Sequence, residues 1–130
     1  VKFVSANESY IQINDADSYF NNILIDKTTG TFRFDVLSTD NLVIQGDLEV
    51  ETGSNFSSSS EKTIEIDGNL VHNGSVTLDK GTVKFVGTGK FINMSPGDYF
   101  HHLQLSTSSM SIISTDLHLG GDMRINKLEK

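Results

Sequence analysis

The side chains best suited to bind a transition-metal ion are those of His101, His102, His118 and Asp98. Imidazole nitrogens and carboxylates are common ligands of zinc and related ions. Adjacent residues on a strand point to opposite faces, so we expect His101 and His102 not to bind the same ion. A second copy of the surrounding pattern carries Asn21 and Asn22 at the histidine positions. We therefore interpret this position as a polar corner group and predict no metal site.

Acidic residues could form a calcium loop where Asp15 and Asp17 lie close together. An EF-hand loop starting at Asp15 would need Gly at its sixth position and Glu at its twelfth. Phe20 and Asp26 occupy those positions instead. Surface calcium at Asp15, Asp17 or another corner stays open as an alternative, and solvated turn aspartates are the interpretation that we prefer.

Three further aspartates each lie beside a glycine: Asp47, Asp67 and Asp122. Carboxylates stacked on one face could supply the acid and base of a glycosidase or a polysaccharide lyase. These aspartates recur together with a Gly-Asp or Asp-Gly corner, and turn chemistry explains that recurrence more simply. We predict that the chain is not an enzyme and that it has no catalytic or cofactor-binding residues.

Aromatic residues are the candidates for stacking on sugars, above all Tyr10, Tyr19 and Tyr99. The chain has no Trp. The pairs Tyr19-Phe20 and Tyr99-Phe100 lie at matching places in the two halves of the chain, which is typical of an internal stack or a corner cap. A carbohydrate-binding module is nevertheless the main ligand-binding alternative.

The composition excludes several classes of partner. Among 130 residues, 17 acidic and 10 basic side chains give a net charge of −7. This charge argues against nucleic acid and against an anionic bilayer. No apolar run approaches the roughly 18 residues of a membrane span, and the lack of cysteine excludes disulfides and zinc–thiolate sites. We expect a single domain over residues 1–130, cut or processed from something larger because the first residue is Val.

Apolar residues recur with a period of two, as in Leu42/Ile44, Ile64/Ile66 and Leu103/Leu105. This alternation is typical of β-strands, and no stretch of ten residues keeps a helical period. Gly, Asn and Asp between the alternating runs mark turns. The sequence therefore predicts an all-β fold.

The two halves of the chain share their strand pattern, which predicts an internal duplication of residues 1–50 and 83–125. The matching blocks are residues 1–4 with 83–86, 18–25 with 98–105, and 41–50 with 116–125. A shorter repeat places Gly68 22 residues (68−46) after Gly46. That spacing is about one coil of a parallel β-solenoid, in which we expect Ile44, Ile66 and Leu119 to stack in register.

An antiparallel β-sandwich is the alternative fold, because Asn73-Gly74 and Lys80-Gly81 are also hairpin signals. The Ser-rich residues 51–62 predict a polar loop that leaves the regular structure. Residues 14–18 and 93–98 hold equivalent places in the two halves and are also predicted to be loops.

Four stretches, residues 40–50, 64–74, 80–87 and 99–103, read DNLVIQGDLEV, IEIDGNLVHNG, KGTVKFVG and YFHHL. They resemble the L-x-V-x-G-D-L, G-N-x-x-N-x-G, G-T-V-x-F-x-G and F-x-N-L-x-I repeats of very large secreted and cell-surface proteins of bacteria, notably Bacteroidetes. The chain departs from them after Gly68-Asn69, where those repeats often carry Trp or Thr and this chain carries Leu70.

The resemblance implies a parallel β-helix array that serves as an adhesin, a stalk or surface-layer material, with no catalytic residues. We expect a non-enzymatic structural or adhesive segment of an extracellular protein on the bacterial cell surface. Its partners would be neighbouring repeats or further copies stacked end to end. The alternative is a carbohydrate-binding module of a secreted protein, with polysaccharide as the partner.

Overall fold

The computed structural model describes residues 1–87, 90–93, 97–107, 110–113 and 118–126. These residues form an all-β structure in which parallel strands stack as a β-solenoid of about five turns. Every pair of described strands is parallel, as a solenoid requires and an antiparallel sandwich does not. The predicted fold is confirmed.

The described residues form fifteen strands, most of them two to four residues long, and these strands build the coils. In chain order they are β1 (Lys2–Phe3), β2 (Ser9–Ile11), β3 (Ile23–Ile25), β4 (Thr31–Phe34), β5 (Leu42–Ile44), β6 (Leu48–Val50), β7 (Asn55–Ser58), β8 (Thr63–Ile66), β9 (Leu70–His72), β10 (Ser75–Gly87), β11 (Lys90–Asn93), β12 (Tyr99–Thr107), β13 (Met110–Ile113), β14 (His118–Leu119) and β15 (Met123–Ile125).

The strands make three faces of the solenoid. Face 1 holds β1, β3, β6, β9, β11 and β13, and face 2 holds β2, β4, β7, the first part of β10, the first part of β12, and β14. Face 3 holds β5, β8, the second parts of β10 and β12, and β15. Both β10 and β12 therefore run through the corner between face 2 and face 3.

Residues in register on neighbouring coils are 19 to 25 residues apart, as in Ile66–Phe85 (85−66) and Leu24–Glu49 (49−24). The spacing of 22 residues between Gly46 and Gly68 falls in this range. Because the coils are stacked in register, each inward side chain lies on the inward side chain of the next coil. Apolar columns thus fill the narrow core, and most of their members are fully buried.

The predicted stacking is right for two residues and wrong for the third. Ile44 pairs with Ile66, and the Gly68 amide donates to the Gly46 carbonyl at 2.9 Å, so these residues lie one coil apart. Leu119 instead pairs with Phe100 on face 2. The column of Ile44 continues through Phe85 and Leu105 to Ile125. All three corners of a coil can carry a Gly-Asp pair, so the sequence does not show which corner a given pair forms. Leu119 was therefore predicted to lie in the column of Ile44, on the wrong face.

The segments that match in sequence occupy different faces. Lys2–Phe3 lies on face 1, whereas the matching Lys84 and Phe85 lie on face 3. Leu48–Val50 lies on face 1, whereas the matching Met123–Ile125 lies on face 3. The similarity of the two halves therefore reflects a strand–corner–strand unit that serves at any corner. The division of the chain into one domain stays a prediction.

The expectation of a polar loop over residues 51–62 is wrong, because β7 lies in the middle of it. This strand pairs with β4 on one side and β10 on the other. Phe56 fills the core, and Ser58 points inward beside it. The Ser58 hydroxyl donates to the Phe34 carbonyl at 3.2 Å, so a serine is buried here without an unsatisfied group.

Of the two predicted loops, only the first is fully covered by the described residues, and the end of the second repeat is only partly covered. Residues 14–18 form a loop, as predicted, while residues 94–96 of the second predicted loop and residues 116–117 of the repeat lie outside the described residues. In the part of the chain that the structure describes, no helix is long and apolar enough to cross a membrane.

Candidate functional site

The two adjacent histidines lie side by side at the corner between face 2 and face 3. Their ring centroids are 4.3 Å apart in an edge-to-face arrangement, so the expectation that they point to opposite faces is wrong. The reason is the corner: Phe100 pairs with Leu78, but His102 already pairs with Thr82. The strand bends between these two pairs, and the simple alternation of a straight strand is lost there.

These histidines are not joined by the other candidate ligands. Asp98 is buried, and its Oδ1 accepts a hydrogen bond from the Val76 amide at 2.9 Å. His118 lies on face 2, paired with Tyr99. Within the described ranges, no group of three or more His, Cys, Asp or Glu side chains is arranged to hold a metal ion.

His102 serves the corner as a hydrogen-bond acceptor. Its Nδ1 accepts from the Asp122 amide of the next coil at 2.8 Å. At the same corner between earlier coils, the Asn41 Oδ1 accepts from the Thr63 amide at 2.9 Å. A polar side chain thus satisfies a backbone amide that the strand ladder leaves unpaired, which agrees with the interpretation of the histidine position as a polar corner group.

The corner between face 3 and face 1 uses the same device. The Asn22 Oδ1 accepts from the Asp47 amide, and the Asp47 Oδ1 accepts from the Asn69 amide, both at 2.8 Å. Asp122 precedes a face 3 strand and so belongs to a different corner from Asp47. The structure therefore does not stack Asp47 and Asp122 on one face, as paired catalytic carboxylates would require.

The possible calcium ligands Asp15 and Asp17 form an exposed turn. The Asp15 Oδ1 accepts from the Asp17 amide at 3.0 Å, and the Asp15 carbonyl accepts from the Ser18 amide at 3.1 Å. This is the local turn chemistry that aspartate commonly provides. The contacts fit the interpretation as turn aspartates.

The aromatic residues divide between the core and the surface. Phe3, Phe32 and Phe56 stack inside, with centroid distances of 4.2 Å and 5.8 Å. Tyr10 and Tyr19 are 67% and 57% exposed. The internal aromatic stack is thus made by phenylalanines, and Tyr10 and Tyr19 are exposed. Tyr99 is half-buried, and its hydroxyl lies against Gly120 of the next coil.

Tyr10 lies at one side of a groove of about 510 Å³ on the outer surface of face 2. The groove floor includes Arg33, Ser57 and Thr77, each on a successive coil. Asp79 lies at its margin. The sequence suggested Tyr10 as a sugar platform, but not these neighbours, because they lie about 20 residues apart and meet only once the coil register is known.

Sequence reasoning also missed Lys27, which is only 1% exposed. Its Nζ donates to the hydroxyls of Ser5 and Ser9, each at 3.0 Å. No carboxylate of the described chain forms an ion pair with it. Lys27 follows β3 by two residues and continues the inward positions of Ile23 and Ile25. The signal was missed because a lysine is rarely fully buried.

Ion pairs connect neighbouring coils on the outside. Lys2 contacts Asp26, and Lys84 contacts Glu65, both at 2.8 Å. The hydrogen bond and the charge of Asp26 raise the pKa of Lys2. The Lys2–Asp26 pair is exposed and the Lys84–Glu65 pair is half-buried. An exposed pair contributes little to stability.

The chain matches no protein-family model, no curated protein and no solved structure.

Proposed function

We propose that this chain is a non-enzymatic structural or adhesive segment of an extracellular bacterial surface assembly, extended by stacking coils end to end. The observation that supports the proposal most directly is that the last described coil leaves apolar residues of its core columns exposed. Met123 and Ile125 pair with Leu103 and Leu105, which are core residues. Yet Met123 and Ile125 are 43% and 71% exposed.

Inward-column residues that remain exposed offer apolar surface to another coil, and their burial would stabilise continued stacking. The strands at the two ends of the sheets also present backbone groups along their outer edges. Such edges pair readily with further strands. The resemblance to bacterial surface repeats supports the extracellular location and the stalk or adhesin role.

Association should be measured by analytical ultracentrifugation and electron microscopy over a wide concentration range. We expect these 130 residues to associate end to end and Ile125→Glu to weaken that association by tenfold or more. Leu37→Glu is the matched control, because Leu37 is equally exposed (69%) but lies on a side loop. A strict monomer at high concentration, or equal effects of both substitutions, would contradict self-assembly.

The second candidate is a carbohydrate-binding module. The groove beside Tyr10 favours it, since an exposed aromatic ring next to hydroxyl and carboxylate groups suits a sugar. This function and end-to-end stacking use different surfaces, and one protein can have both.

A further inference from the structure

One outward column of face 2 begins at Tyr10, passes through Tyr99 and ends at His118. The register aligns Tyr10, Arg33, Ser57, Thr77 and Tyr99 on five successive coils. Tyr10 and Tyr99 are four coil steps apart, or roughly 19 Å at about 4.8 Å per step. The groove of about 510 Å³ covers the Tyr10 side of this column.

The polar groups along the column are of two kinds. At one margin, Thr31, Asn55 and Ser75 bind one another: the Asn55 amide donates to the Thr31 hydroxyl at 3.2 Å, and the Ser75 hydroxyl donates to Asn55 at 3.1 Å. In the middle, the hydroxyls of Ser57 and Thr77 make no side-chain hydrogen bond to the described part of the chain. The hydroxyls of Ser57 and Thr77 are therefore available to a ligand, whereas the polar groups at the margin already bind one another.

The charges in the groove select against anions. Glu8 and Arg33 form an ion pair at 2.6 Å, which offsets the only basic side chain of the lining. Asp35 and Asp79 remain as acidic groups at the other margin. Carboxylates accept hydrogen bonds from neutral hydroxyl groups and repel anionic ligands.

The backbone of this face is already paired. Each of the central strands β4, β7 and β10 has a parallel neighbour on both sides. A peptide therefore cannot add to the face as a strand, and recognition has to use side chains. An exposed tyrosine ring, available hydroxyls and carboxylates together suit a ligand with one apolar face and many hydroxyls.

We infer that the outer surface of face 2 is a binding site for a neutral oligosaccharide that lies across the coils, with Tyr10 as its stacking platform. Ser57, Thr77 and Asp79 hydrogen-bond its hydroxyl groups. The sugar chain would follow the column from Tyr10 across Arg33 and Ser57 to Thr77, the part of the column that the groove covers. This inference rests on the second candidate function and is independent of end-to-end stacking.

Tyrosine fluorescence offers a direct measurement, because the chain has three tyrosines and no tryptophan. The full chain is titrated with neutral tetrasaccharides of glucose, mannose, galactose and xylose, and with a tetrasaccharide of galacturonic acid. We expect at least one neutral sugar to bind and the acidic sugar to bind at least tenfold more weakly. Isothermal titration calorimetry supplies the affinities.

Tyr10→Ala should weaken binding by about tenfold or more. Tyr19→Ala removes a similarly exposed ring outside the groove and should leave the affinity unchanged. Thr77→Val keeps the shape of the side chain and should weaken binding at least threefold. Circular dichroism melts establish that each variant is folded; should Tyr10→Ala fail to fold, Ser57→Arg blocks the groove floor and replaces it in the comparison.

The inference is overturned if no neutral sugar binds, if the acidic sugar binds as tightly, or if Tyr10→Ala and Tyr19→Ala have equal effects. Binding that survives both Tyr10→Ala and Thr77→Val would place the sugar elsewhere, so the second candidate function would stand while this site would not. Loss of association in Ile125→Glu with sugar binding intact would separate the two functions.

Discussion

The amide of Gly68 donates a hydrogen bond to the carbonyl of Gly46 at 2.9 Å, which joins two corners that are one coil apart. A Cβ added to Gly68 would collide with the Gly46 backbone. Gly68 does not have a positive φ; among the described glycines that angle occurs at Gly30, Gly53, Gly81, Gly87 and Gly97. Close approach of two backbones therefore requires glycine at this corner.

Gly68→Ala should destabilise the fold, because even one methyl group cannot fit against Gly46 without moving a coil. Overpacking of this kind costs about 1–3 kcal/mol. Urea unfolding followed by circular dichroism measures the loss. Gly53 is the control: it has a φ of +82° and only ordinary contacts around an added Cβ.

Substitution by asparagine distinguishes the two reasons for a glycine, which are close backbone approach at Gly68 and a positive φ at Gly53. Asn tolerates a positive φ, so Gly53→Asn should be nearly neutral while Gly53→Val is costly. Gly68→Asn should cost at least as much as Gly68→Ala, because its Cβ meets the same backbone. A neutral Gly68→Asn would contradict the close-approach explanation.

Asp47 should act through its acceptor oxygen and not through its charge. Asp47→Asn keeps an acceptor for the Asn69 amide, as Asn22 does one coil earlier, and should change stability by less than about 0.5 kcal/mol. Asp47→Ala removes the acceptor and should cost about 1 kcal/mol. Glu49→Ala removes an equal charge from an exposed strand position and is the control.

Thermal melts of these variants with calcium and with a chelator test the alternative role of the aspartates. We expect the same midpoint in both conditions for the natural chain, for Asp47→Asn and for Asp17→Asn. A drop of several degrees in either Asn variant, seen only with calcium present, would contradict the structural role.

The sequence was sufficient for the fold because the core repeats a simple rule. Period-two strands predict an all-β fold, and the 22-residue return of Gly46 at Gly68 favours a parallel coil over the antiparallel sandwich. The faces could not be assigned, since every corner uses the same Gly, Asn and Asp residues. Leu119 was misplaced for that reason, and the side-by-side histidines were missed because the bend of β12 depends on its neighbour β10.

The buried serines are a second feature that the sequence pattern could not predict. Ser54, Ser58 and Ser60 are buried where the pattern predicts an exposed loop. Ser54 accepts from the Lys27 amide at 2.8 Å, and Ser58 accepts from the Ser60 amide at 3.1 Å. A serine that bonds the backbone can replace an apolar residue inside the coil, and only the register shows which amide it meets. The sugar groove is unpredictable for the same reason, since its members come from different coils.

His102 should be replaceable by another acceptor. His102→Asn places an oxygen near the present Nδ1 and repeats the arrangement of Asn41 and Thr63 at the same corner, so we expect a change below about 0.5 kcal/mol. His102→Ala leaves the Asp122 amide without this partner and should cost about 1 kcal/mol. His118→Ala is the control on an exposed face 2 position. Equal losses for Ala and Asn at His102 would argue that the ring itself is needed.

Lys27 provides the last test, because its buried ammonium depends on two hydroxyls. Lys27→Met keeps the length of the side chain and removes the charge, and we expect stability equal to or above that of the natural chain. Ser5→Ala together with Ser9→Ala should cost about 1–3 kcal/mol per lost hydrogen bond when Lys27 is present. In the Lys27→Met background the same serine changes should cost less than about 0.5 kcal/mol.

Urea unfolding of all four proteins gives the coupling free energy between Lys27 and the two serines, which we expect to exceed about 1 kcal/mol. Additive effects would contradict the claim that the two serines hold the ammonium.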